Sequence, residues 1–398
     1  VTAICGVPTP AMTQINRPAS FAKKSCKKSI ALFATEKLVA LDAKGLRRTL
    51  NPTARSSQSI ARRKNQNLIS FSDNDYLGLS TDPRVIDAGI SAAKQHGAGC
   101  GASRLVTGDN PLNAEIETKL SAMKGTEAAL LFGSGYLANV GTIPTLVGKG
   151  DVILLDALVH SCIHAGARLS GADIQIFRHN DIDHARTILE QVSTNGNILI
   201  ITETVFSMDG DCAPLSELSV LCEKFGAWLM TDDAHGLGVS TQENPAPIQM
   251  GTLSKAAGVY GGYVCGPNEF IQLLQNRARS FVYTTGLPPF VLGAINAALD
   301  IITREKTLGI KAIDNAKLFC HMLDLPPPTS TIVPLIIGEA DAAMAFSAAL
   351  EDNGFLVTAI RPPTVATGTA RLRFTFSANH REEDIKRLVG CINEVRAT

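Results

Sequence analysis

The sequence lacks an excess of charge of either sign, and it lacks any long hydrophobic run. Lys plus Arg and Asp plus Glu both number 37 among the 398 residues, so the formal net charge is zero. Such a chain has no global field that favours nucleic acid or an anionic membrane. No apolar stretch approaches the roughly 18 residues of a membrane-spanning helix. We therefore expect a soluble protein whose partners are neither nucleic acid nor a membrane.

Paired cysteines are also missing. The nine cysteines are scattered between Cys5 and Cys391 without a CxxC pair, which fits neither a disulfide framework nor a zinc ribbon. His160 and His164 have the helical spacing of metal ligands, but no third ligand with a characteristic spacing stands nearby. We expect a reducing, cytoplasmic environment and no metal site.

The first 35 residues carry basic side chains and no acidic one. This composition is typical of a transit peptide, but it also fits a disordered leader or translation that begins at Met12. The scarcity of Arg favours these two alternatives over a transit peptide. From Thr35 onward, leucines recur at near-helical spacing until Asn51-Pro52 stops the run. We expect a leader at 1–34, an N-terminal helix and arm at 35–75, a large domain at 76–295 and a small C-terminal domain at 296–398.

Short β-rich runs alternate with helix-length segments along most of the chain. Those of the large domain lie at residues 129–132, 152–155, 174–177, 198–202, 228–231 and 260–265. In the smaller domain, runs at 332–337, 355–360 and 372–376 alternate with helices at 340–353 and 381–395. This alternation predicts an α/β fold with a mostly parallel central sheet covered on both faces by helices, followed by a smaller C-terminal α/β domain.

Lys255 is the most informative residue because of its neighbours. It lies in GTLSKAAG at 251–258, and DDAHG at 232–236 precedes it directly after a strand-like run. Aspartate, histidine and lysine in this order indicate pyridoxal phosphate, since a lysine amine forms a Schiff base with the cofactor aldehyde and a carboxylate keeps the pyridine nitrogen protonated. Most lysines are solvated surface residues. Here the small neighbours leave room for a planar group, and Thr252 and Ser254 offer hydroxyls to a phosphate.

Other polar residues follow predicted strands, which is where open parallel sheets bind ligands. The turn GSGYLAN at 133–139 opens a helix whose free N–H groups can bind a phosphate, although such turns are more often only structural. Asp156 and His160 follow one strand, and Glu203 and Ser207 follow another. The glycine-rich run at 97–101 follows a helix rather than a strand, so we reject a dinucleotide fingerprint there.

Two arginines near the C-terminus suit carboxylate recognition. Arg371 and Arg373 stand two residues apart in a predicted strand and therefore point to the same face. One can bind a substrate carboxylate while the other forms a structural ion pair. The commoner alternative is that both form surface ion pairs.

Four motifs together resemble the α-oxoamine synthases, which are fold-type I pyridoxal phosphate enzymes. They are NDYLGL at 74–79, ETVFSMDGD at 203–211, DDAHG at 232–236 and GTLSK at 251–255, and the resemblance runs from Phe33 to the C-terminus. It implies condensation of an amino acid with an acyl thioester and loss of carbon dioxide. The runs IRPPTV at 360–365, GTARLR at 368–373 and GLRR at 45–48 look most like the branch that uses L-alanine and pimeloyl-CoA or a pimeloyl acyl carrier protein. The resemblance also implies a homodimer with the active site at its interface.

The same resemblance implies individual roles. Lys255 would hold the cofactor, Asp232 would pair with the pyridine nitrogen, and His160 would stack on the ring. The expected catalytic residues are Lys255, His160, Asp232 and His235. The expected cofactor-binding residues are Gly135, Tyr136, His160, Ser207, Asp232, His235, Thr252 and Lys255. The expected substrate-binding residues are Arg47, Asn74, Thr364 and Arg373, the last of them for the amino-acid carboxylate.

The chain departs from the family pattern in two segments. Residues 239–249 form a short connection without the Gly-Arg-Gly loop of the family, which suggests that a strand is missing, and residues 306–329 look abbreviated. Asn113 stands where many relatives have histidine. Three rival functions are a glycine-using synthase, a plain aminotransferase and a catalytically silent subunit. The arginine-proline motif argues against the first, and the presence of Lys255 argues against the last.

Overall fold

The computed structural model describes residues 28–57 and 59–397, and the chain divides into two units, Val1–Asn51 and Pro52–Thr398. Within the described part of the first unit, helix α1 spans Ile30–Asp42, and the Ser29 side chain caps it by accepting a hydrogen bond from the backbone N–H of Leu32. The helix that the sequence predicted to begin at Thr35 therefore begins five residues earlier, at Ile30. Residues 1–27 of the predicted leader lie outside the described residues.

The second unit contains three β-sheets. Its strands are β1 (Ala54–Ser57), β2 (Ile60–Arg63), β3 (Gln66–Ser70), β4 (Ala128–Phe132), β5 (Val152–Asp156), β6 (Asp173–Phe177), β7 (Ile198–Glu203), β8 (Trp228–Asp232), β9 (Ile248–Thr252), β10 (Gly262–Gly266), β11 (Ile332–Gly338), β12 (Phe355–Leu356), β13 (Thr358–Ile360) and β14 (Ala370–Thr375).

Helices connect and cover these strands. They are α2 (Pro83–His96), α3 (Pro111–Lys124), α4 (Gly135–Leu146), α5 (Ser161–Ser170), α6 (Ile182–Gln191), α7 (Leu215–Phe225), α8 (Asn268–Arg277), α9 (Arg279–Val282), α10 (Pro289–Arg304), α11 (Thr307–Met322), α12 (Ala340–Asp352) and α13 (Glu382–Ala397). Among residues 28–57 and 59–397, no helix combines the length and the apolar character needed to cross a membrane.

The largest sheet has seven strands in the order β4-β10-β9-β8-β7-β5-β6. The pairs from β9 to β6 are parallel, and β10 runs antiparallel to both of its neighbours. Apolar residues cover both faces, because Leu130 of β4 packs in one hydrophobic cluster and its neighbour Leu131 in another. Successive strand residues point to opposite faces, so a continuous apolar run fits a sheet buried on both sides. The predicted fold class is confirmed.

The C-terminal part is built around a second, smaller sheet with the strand order β11-β14-β13. Its core is aromatic: Phe319 lies with its ring centroid 4.8 Å from that of Phe374 and 5.0 Å from that of Phe376. Strand β12 pairs in parallel with β3, which ties residues 66–70 to this part of the chain. The predicted domain limits at 35–75, 76–295 and 296–398 stay predictions.

The short connection at residues 239–249 does not remove a strand from the central sheet. Strand β9 begins at Ile248 and lies between β8 and β10, so the expectation of a missing strand is wrong. The strand was overlooked because it contains polar residues such as Gln249, which are buried although a buried strand is expected to be apolar. A cavity of about 810 Å³ is lined both by residues 239–242 and by Lys306, Gly309, Ile310 and Ile313. The two abbreviated segments therefore meet at one place.

Candidate active site

Polar side chains gather at the carboxyl edge of the central sheet. Asp156, Glu203, Asp232 and Thr252 are the last residues of β5, β7, β8 and β9, and all four are buried. Glu203 and Asp232 are direct partners in the pairing of β7 with β8. Open parallel sheets bind their ligands beyond this edge, so the topology itself collects the predicted site residues.

Lys255 lies in the loop that follows β9, half-buried, with its amine towards His235. The distance between Lys255 Nζ and His235 Nε2 is 2.7 Å. Burial lowers the pKa of Lys255, and the nearby carboxylates of Asp232 and Glu203 act in the opposite direction. A lysine whose pKa is lowered by burial can serve as a nucleophile or base near neutral pH.

Asp232 presents a buried carboxylate at this edge of the sheet. Its Oδ2 accepts a hydrogen bond from Asn139 Nδ2 at 2.9 Å, and its Oδ1 accepts one from the backbone N–H of Ala234 at 2.9 Å. Burial raises the pKa of Asp232, while Lys255 lowers it. Within residues 28–57 and 59–397, no ion pair joins Asp232 to a basic side chain. A buried carboxylate of this kind has capacity for one more charged N–H donor, as a protonated pyridine nitrogen would supply.

His160 caps helix α5, and this fixes its ring. Its Nδ1 accepts a hydrogen bond from the backbone N–H of Cys162 at 3.3 Å and lies 2.8 Å from Cys162 Sγ. Burial raises the pKa of Cys162 to about 12, so the thiol keeps its proton and can donate to the ring. Desolvation lowers the pKa of His160. Because Nδ1 is the acceptor, the neutral ring carries its proton on Nε2.

The predicted phosphate cradle lies at the N-terminus of α4. Ser134 caps this helix by accepting the backbone N–H of Leu137 at 3.2 Å. A Cβ added at Gly135 would lie 3.4 Å from Thr252 Cβ, so the glycine leaves the space beside β9 open. Thr252 Oγ1 lies 2.8 Å from Ser254 Oγ, and Tyr136 is exposed. Hydroxyls beside a helix N-terminus suit a phosphate group.

The two arginines of β14 have different partners. Arg371 forms an ion pair with Asp209, whereas both terminal nitrogens of Arg373 donate to Asn74 Oδ1 at 3.3 Å. Arg373 Nε also donates to the backbone carbonyl of Ser207. Both arginines are buried. The structure thus brings Asn74, Ser207 and Arg373 together, and it gives the two guanidinium groups different partners.

Thr364 and Arg47 are the remaining predicted substrate residues. Thr364 is exposed in the loop between β13 and β14, where its backbone N–H donates to the carbonyl of Arg361 at 3.1 Å. Arg47 belongs to the first unit and forms an ion pair with Asp42 at 2.7 Å. The roles of Thr364 and Arg47 stay predictions.

Sequence reasoning missed three residues of the site. Tyr76 is fully buried, and its hydroxyl lies 2.6 Å from His235 Nδ1. Asn139 binds the Asp232 carboxylate, and Cys162 contacts the ring of His160. Tyr76 and Asn139 lie inside runs that the sequence singled out, NDYLGL and GSGYLAN, so a signal was present for the segment but not for the side chain. Among the described residues, no group of three or more His, Cys, Asp or Glu side chains could hold a metal ion.

Comparison with known proteins assigns the family. Residues 66–392 match the family described as aminotransferase class I and II, so the chain belongs to that family. Within it the chain belongs to the α-oxoamine synthases, as its resemblance indicated. It is 53% identical to the 8-amino-7-oxononanoate synthase of Methylobacterium sp. strain 4-46 over 93% of this chain and 98% of the relative. It is also 53% identical to the 8-amino-7-oxononanoate synthase of Methylorubrum populi, over 92% of this chain and 95% of the relative.

Solved structures give the same family. A serine palmitoyltransferase from S. paucimobilis, in complex with pyridoxal phosphate and myriocin, superposes with a TM-score of 0.86 at 28% identity, covering 92% of this chain and 97% of that one. The 8-amino-7-oxononanoate synthase from Francisella tularensis superposes with a TM-score of 0.71 at 26% identity, covering 83% and 98%. The chain is therefore similar over nearly its whole described length to enzymes of one catalytic family.

Proposed function

We propose that the chain is an 8-amino-7-oxononanoate synthase. It condenses L-alanine with a pimeloyl thioester, with loss of carbon dioxide and free thiol, as a step of biotin biosynthesis. The observation that carries the proposal is the continuous hydrogen-bonded row that links the amine of Lys255 to the guanidinium of Arg373. This row places a base and a carboxylate-binding group in one site. In addition, relatives that are 53% identical are named 8-amino-7-oxononanoate synthase.

The residues present fit pyridoxal phosphate. Lys255 would hold the cofactor, the carboxylate of Asp232 would pair with its pyridine nitrogen, and His160 would lie against its ring. Gly135, Tyr136 and Thr252 would hold the phosphate, and Ser207 and His235 would contact the phenolic oxygen. The bound cofactor supplies an electron sink for the carbanion formed at the α-carbon of alanine. The feature that makes this fit specific is the buried carboxylate of Asp232, which forms no ion pair with another side chain of the described residues.

The side chains of the protein then move and hold protons around the substrate. Arg373 binds the carboxylate of alanine through its fork of N–H donors. The amine of Lys255 removes the α-proton and later returns a proton to the product carbon. His160 offers Nε2–H to the oxygen on which negative charge develops when the α-carbon attacks the thioester. The thiol leaves, the new β-keto acid loses carbon dioxide, and Arg373 releases the carboxylate that it held.

The proposal extends to assembly, partners and location. The enzyme forms a homodimer whose active site lies at the interface. Support comes from Leu105, Val106 and Tyr283, which are large apolar side chains exposed by 57%, 73% and 76%. A β-bridge between Ser103 and Thr285 brings the segments that carry these side chains together, and exposed apolar side chains grouped in this way mark an interaction site in many proteins. The acyl donor is pimeloyl-CoA or a pimeloyl acyl carrier protein, Arg47 and Thr364 line the acyl side, and the enzyme works in the cytoplasm.

One assay tests the reaction. The purified protein, loaded with pyridoxal phosphate, is offered L-alanine or glycine with pimeloyl-CoA or a shorter acyl-CoA, and thiol release and product mass are followed. We expect thiol release and the mass of 8-amino-7-oxononanoate only with L-alanine and pimeloyl-CoA. No thiol release with that pair contradicts the proposal. Thiol release with glycine and a shorter acyl-CoA instead identifies a glycine-using synthase, and amino-group transfer without thioester identifies an aminotransferase.

A further inference from the structure

A chain of hydrogen bonds connects the predicted base to the predicted carboxylate site through a residue to which the family resemblance gives no role. Lys255 Nζ lies 2.7 Å from His235 Nε2, and His235 Nδ1 lies 2.6 Å from the hydroxyl oxygen of Tyr76. The Tyr76 hydroxyl donates to Asn74 Oδ1 at 3.1 Å, and Arg373 donates to the same Oδ1. Tyr76 is fully buried, so this chain is shielded from water at its centre.

The direction of each hydrogen bond follows from its ends. A guanidinium only donates, so the atom of Asn74 that faces Arg373 must be the oxygen. Burial raises the pKa of Tyr76 to about 12, so its hydroxyl keeps its single proton. That proton goes to Asn74 Oδ1. The hydroxyl oxygen of Tyr76 is then left to accept a hydrogen bond from His235 Nδ1–H.

The protonation of His235 completes the assignment. Burial, followed by the positive charges of Lys255 and Arg373, holds the pKa of His235 well below its ordinary value, so the ring is neutral. A neutral imidazole has one N–H, and Tyr76 places it on Nδ1. His235 Nε2 therefore carries a lone pair and accepts a hydrogen bond from the amine of Lys255.

We propose that Tyr76 is a positioning residue for Lys255: its hydroxyl fixes the ring proton of His235 on Nδ1, so that Nε2 faces the amine as an acceptor and favours the protonated amine. The inference rests on the proposed function, in which Lys255 takes and returns the α-proton. Tyr76 would thereby help Lys255 to hold that proton until the product carbon needs it.

Other groups around Lys255 also influence whether its amine is protonated. Burial and the charge of Arg373 favour the neutral amine, whereas the carboxylates of Asp232 and Glu203 favour the ammonium. Without the Tyr76 hydroxyl, a proton on His235 Nδ1 would be buried with no acceptor, which is costly. The ring would then carry its proton on Nε2 instead. An N–H would point at Lys255, and only a neutral amine can accept it.

The test is the reactivity of Lys255 in the full-length protein from which the cofactor has been removed. Wild type and Tyr76→Phe are labelled competitively with acetic anhydride over a range of pH, and mass spectrometry follows the peptide that contains Lys255. Only the neutral amine reacts. We expect Tyr76→Phe to label roughly two- to tenfold faster at pH values below the Lys255 pKa, which corresponds to one hydrogen bond. Asn74→Ala tests the chain from its other end, because it frees the Tyr76 O–H to donate to His235 Nδ1, and it should change the rate in the same direction.

Tyr263→Phe is the matched control. Tyr263 is also fully buried, and its hydroxyl has no hydrogen-bond partner among the described residues, so its removal should leave the labelling of Lys255 unchanged. Superimposable labelling profiles for Tyr76→Phe and wild type overturn the inference, and so does an equal change in Tyr263→Phe. The labelling needs neither cofactor nor substrate. Failure of the thiol-release assay therefore contradicts the proposed function without altering this result.

Discussion

Arg371 Nη1 lies 2.5 Å from Asp209 Oδ1, in the strand that buries Arg373 two residues further on. The two guanidinium groups share one face of β14, yet only Arg371 has a carboxylate among its partners in the described part of the chain. Arg373 instead donates to the side-chain oxygen of Asn74 and to a backbone carbonyl. Neutral acceptors can be exchanged for an incoming carboxylate, because a charged acceptor makes the stronger hydrogen bonds.

The first prediction concerns this difference. Arg373→Lys should raise the KM for L-alanine by roughly 10- to 100-fold, because lysine cannot present a planar fork and hydrogen bonds to a charged group contribute about 1.5–3 kcal/mol. Initial rates at saturating pimeloyl-CoA measure it. Arg371→Lys is the control, and it should lower the free energy of unfolding while leaving the KM for alanine close to that of wild type. An unchanged KM in Arg373→Lys would remove Arg373 from the carboxylate site.

The second prediction identifies the lysine that holds the cofactor. In Lys255→Ala the yellow, borohydride-reducible link to pyridoxal phosphate should be lost, because the amine of Lys255 lies beside His235 and its charge acts on Asp232. Absorbance and mass spectrometry of the reduced protein measure it. Lys317→Ala is the control, since Lys317 is exposed and pairs with Asp314 on the helix surface. A reduced adduct that persists at one site in Lys255→Ala would show that another lysine holds the cofactor.

The order of elements along the chain was accessible to sequence reasoning because buried parallel strands leave a plain signal. The run VILLD at residues 152–156 is apolar almost throughout and buried throughout, and it was predicted as a strand within one residue. Strand β9 was missed because its sequence, IQMGT, mixes polar and apolar residues although all five are buried. Its polar side chain Gln249 donates to backbone carbonyls, one of them that of Lys124, which lies far away in the sequence.

Candidate site residues could be predicted where the residue type itself indicates a chemical role. Residues that only position another side chain could not be predicted. Lys255, Asp232 and Arg373 were singled out from their motifs, and in the structure the charges of Asp232 and Arg373 both act on the amine of Lys255. Tyr76 and Asn139 were not found. Each acts through a contact between residues far apart in sequence, as the 2.6 Å contact of Tyr76 with His235 illustrates. A single sequence carries no record of such pairings.

The third prediction separates two adjacent carboxylates. Asp232→Asn should lower kcat by roughly 10- to 100-fold, because the amide cannot stabilise a protonated pyridine nitrogen as a carboxylate does. Asp233→Asn is the control: Asp233 pairs with Lys124 and accepts a hydrogen bond from Thr204 at 2.6 Å, so its loss should cost stability rather than kcat. Removing one partner of a buried ion pair costs about 3–5 kcal/mol. Equal losses of kcat in both variants would contradict the assignment of Asp232.

The last prediction concerns acid stability and a histidine outside the active site. His380 is buried and stacks on Phe71 with 4.1 Å between ring centroids. Its Nδ1 accepts the backbone N–H of Ser377 at 3.0 Å, and its Nε2 lies 2.8 Å from the carbonyl oxygen of Ser70. Burial lowers the pKa of His380 from 6.5 to about 4. The folded protein therefore keeps this ring neutral at pH values where the unfolded chain protonates it.

The difference in proton binding between the folded and unfolded states sets the direction in which stability changes with pH. Between pH 6.5 and about pH 4 the unfolded state binds the extra proton, so the contribution of His380 to stability is complete above pH 6.5 and is lost as the pH falls towards 4. The loss is on the order of 3 kcal/mol. Urea unfolding of wild type and His380→Gln across this range measures it, and the gap between the two free energies of unfolding should narrow with falling pH. The exposed His96→Gln should follow the wild-type curve, and a constant gap for His380→Gln would show that His380 does not govern the acid sensitivity.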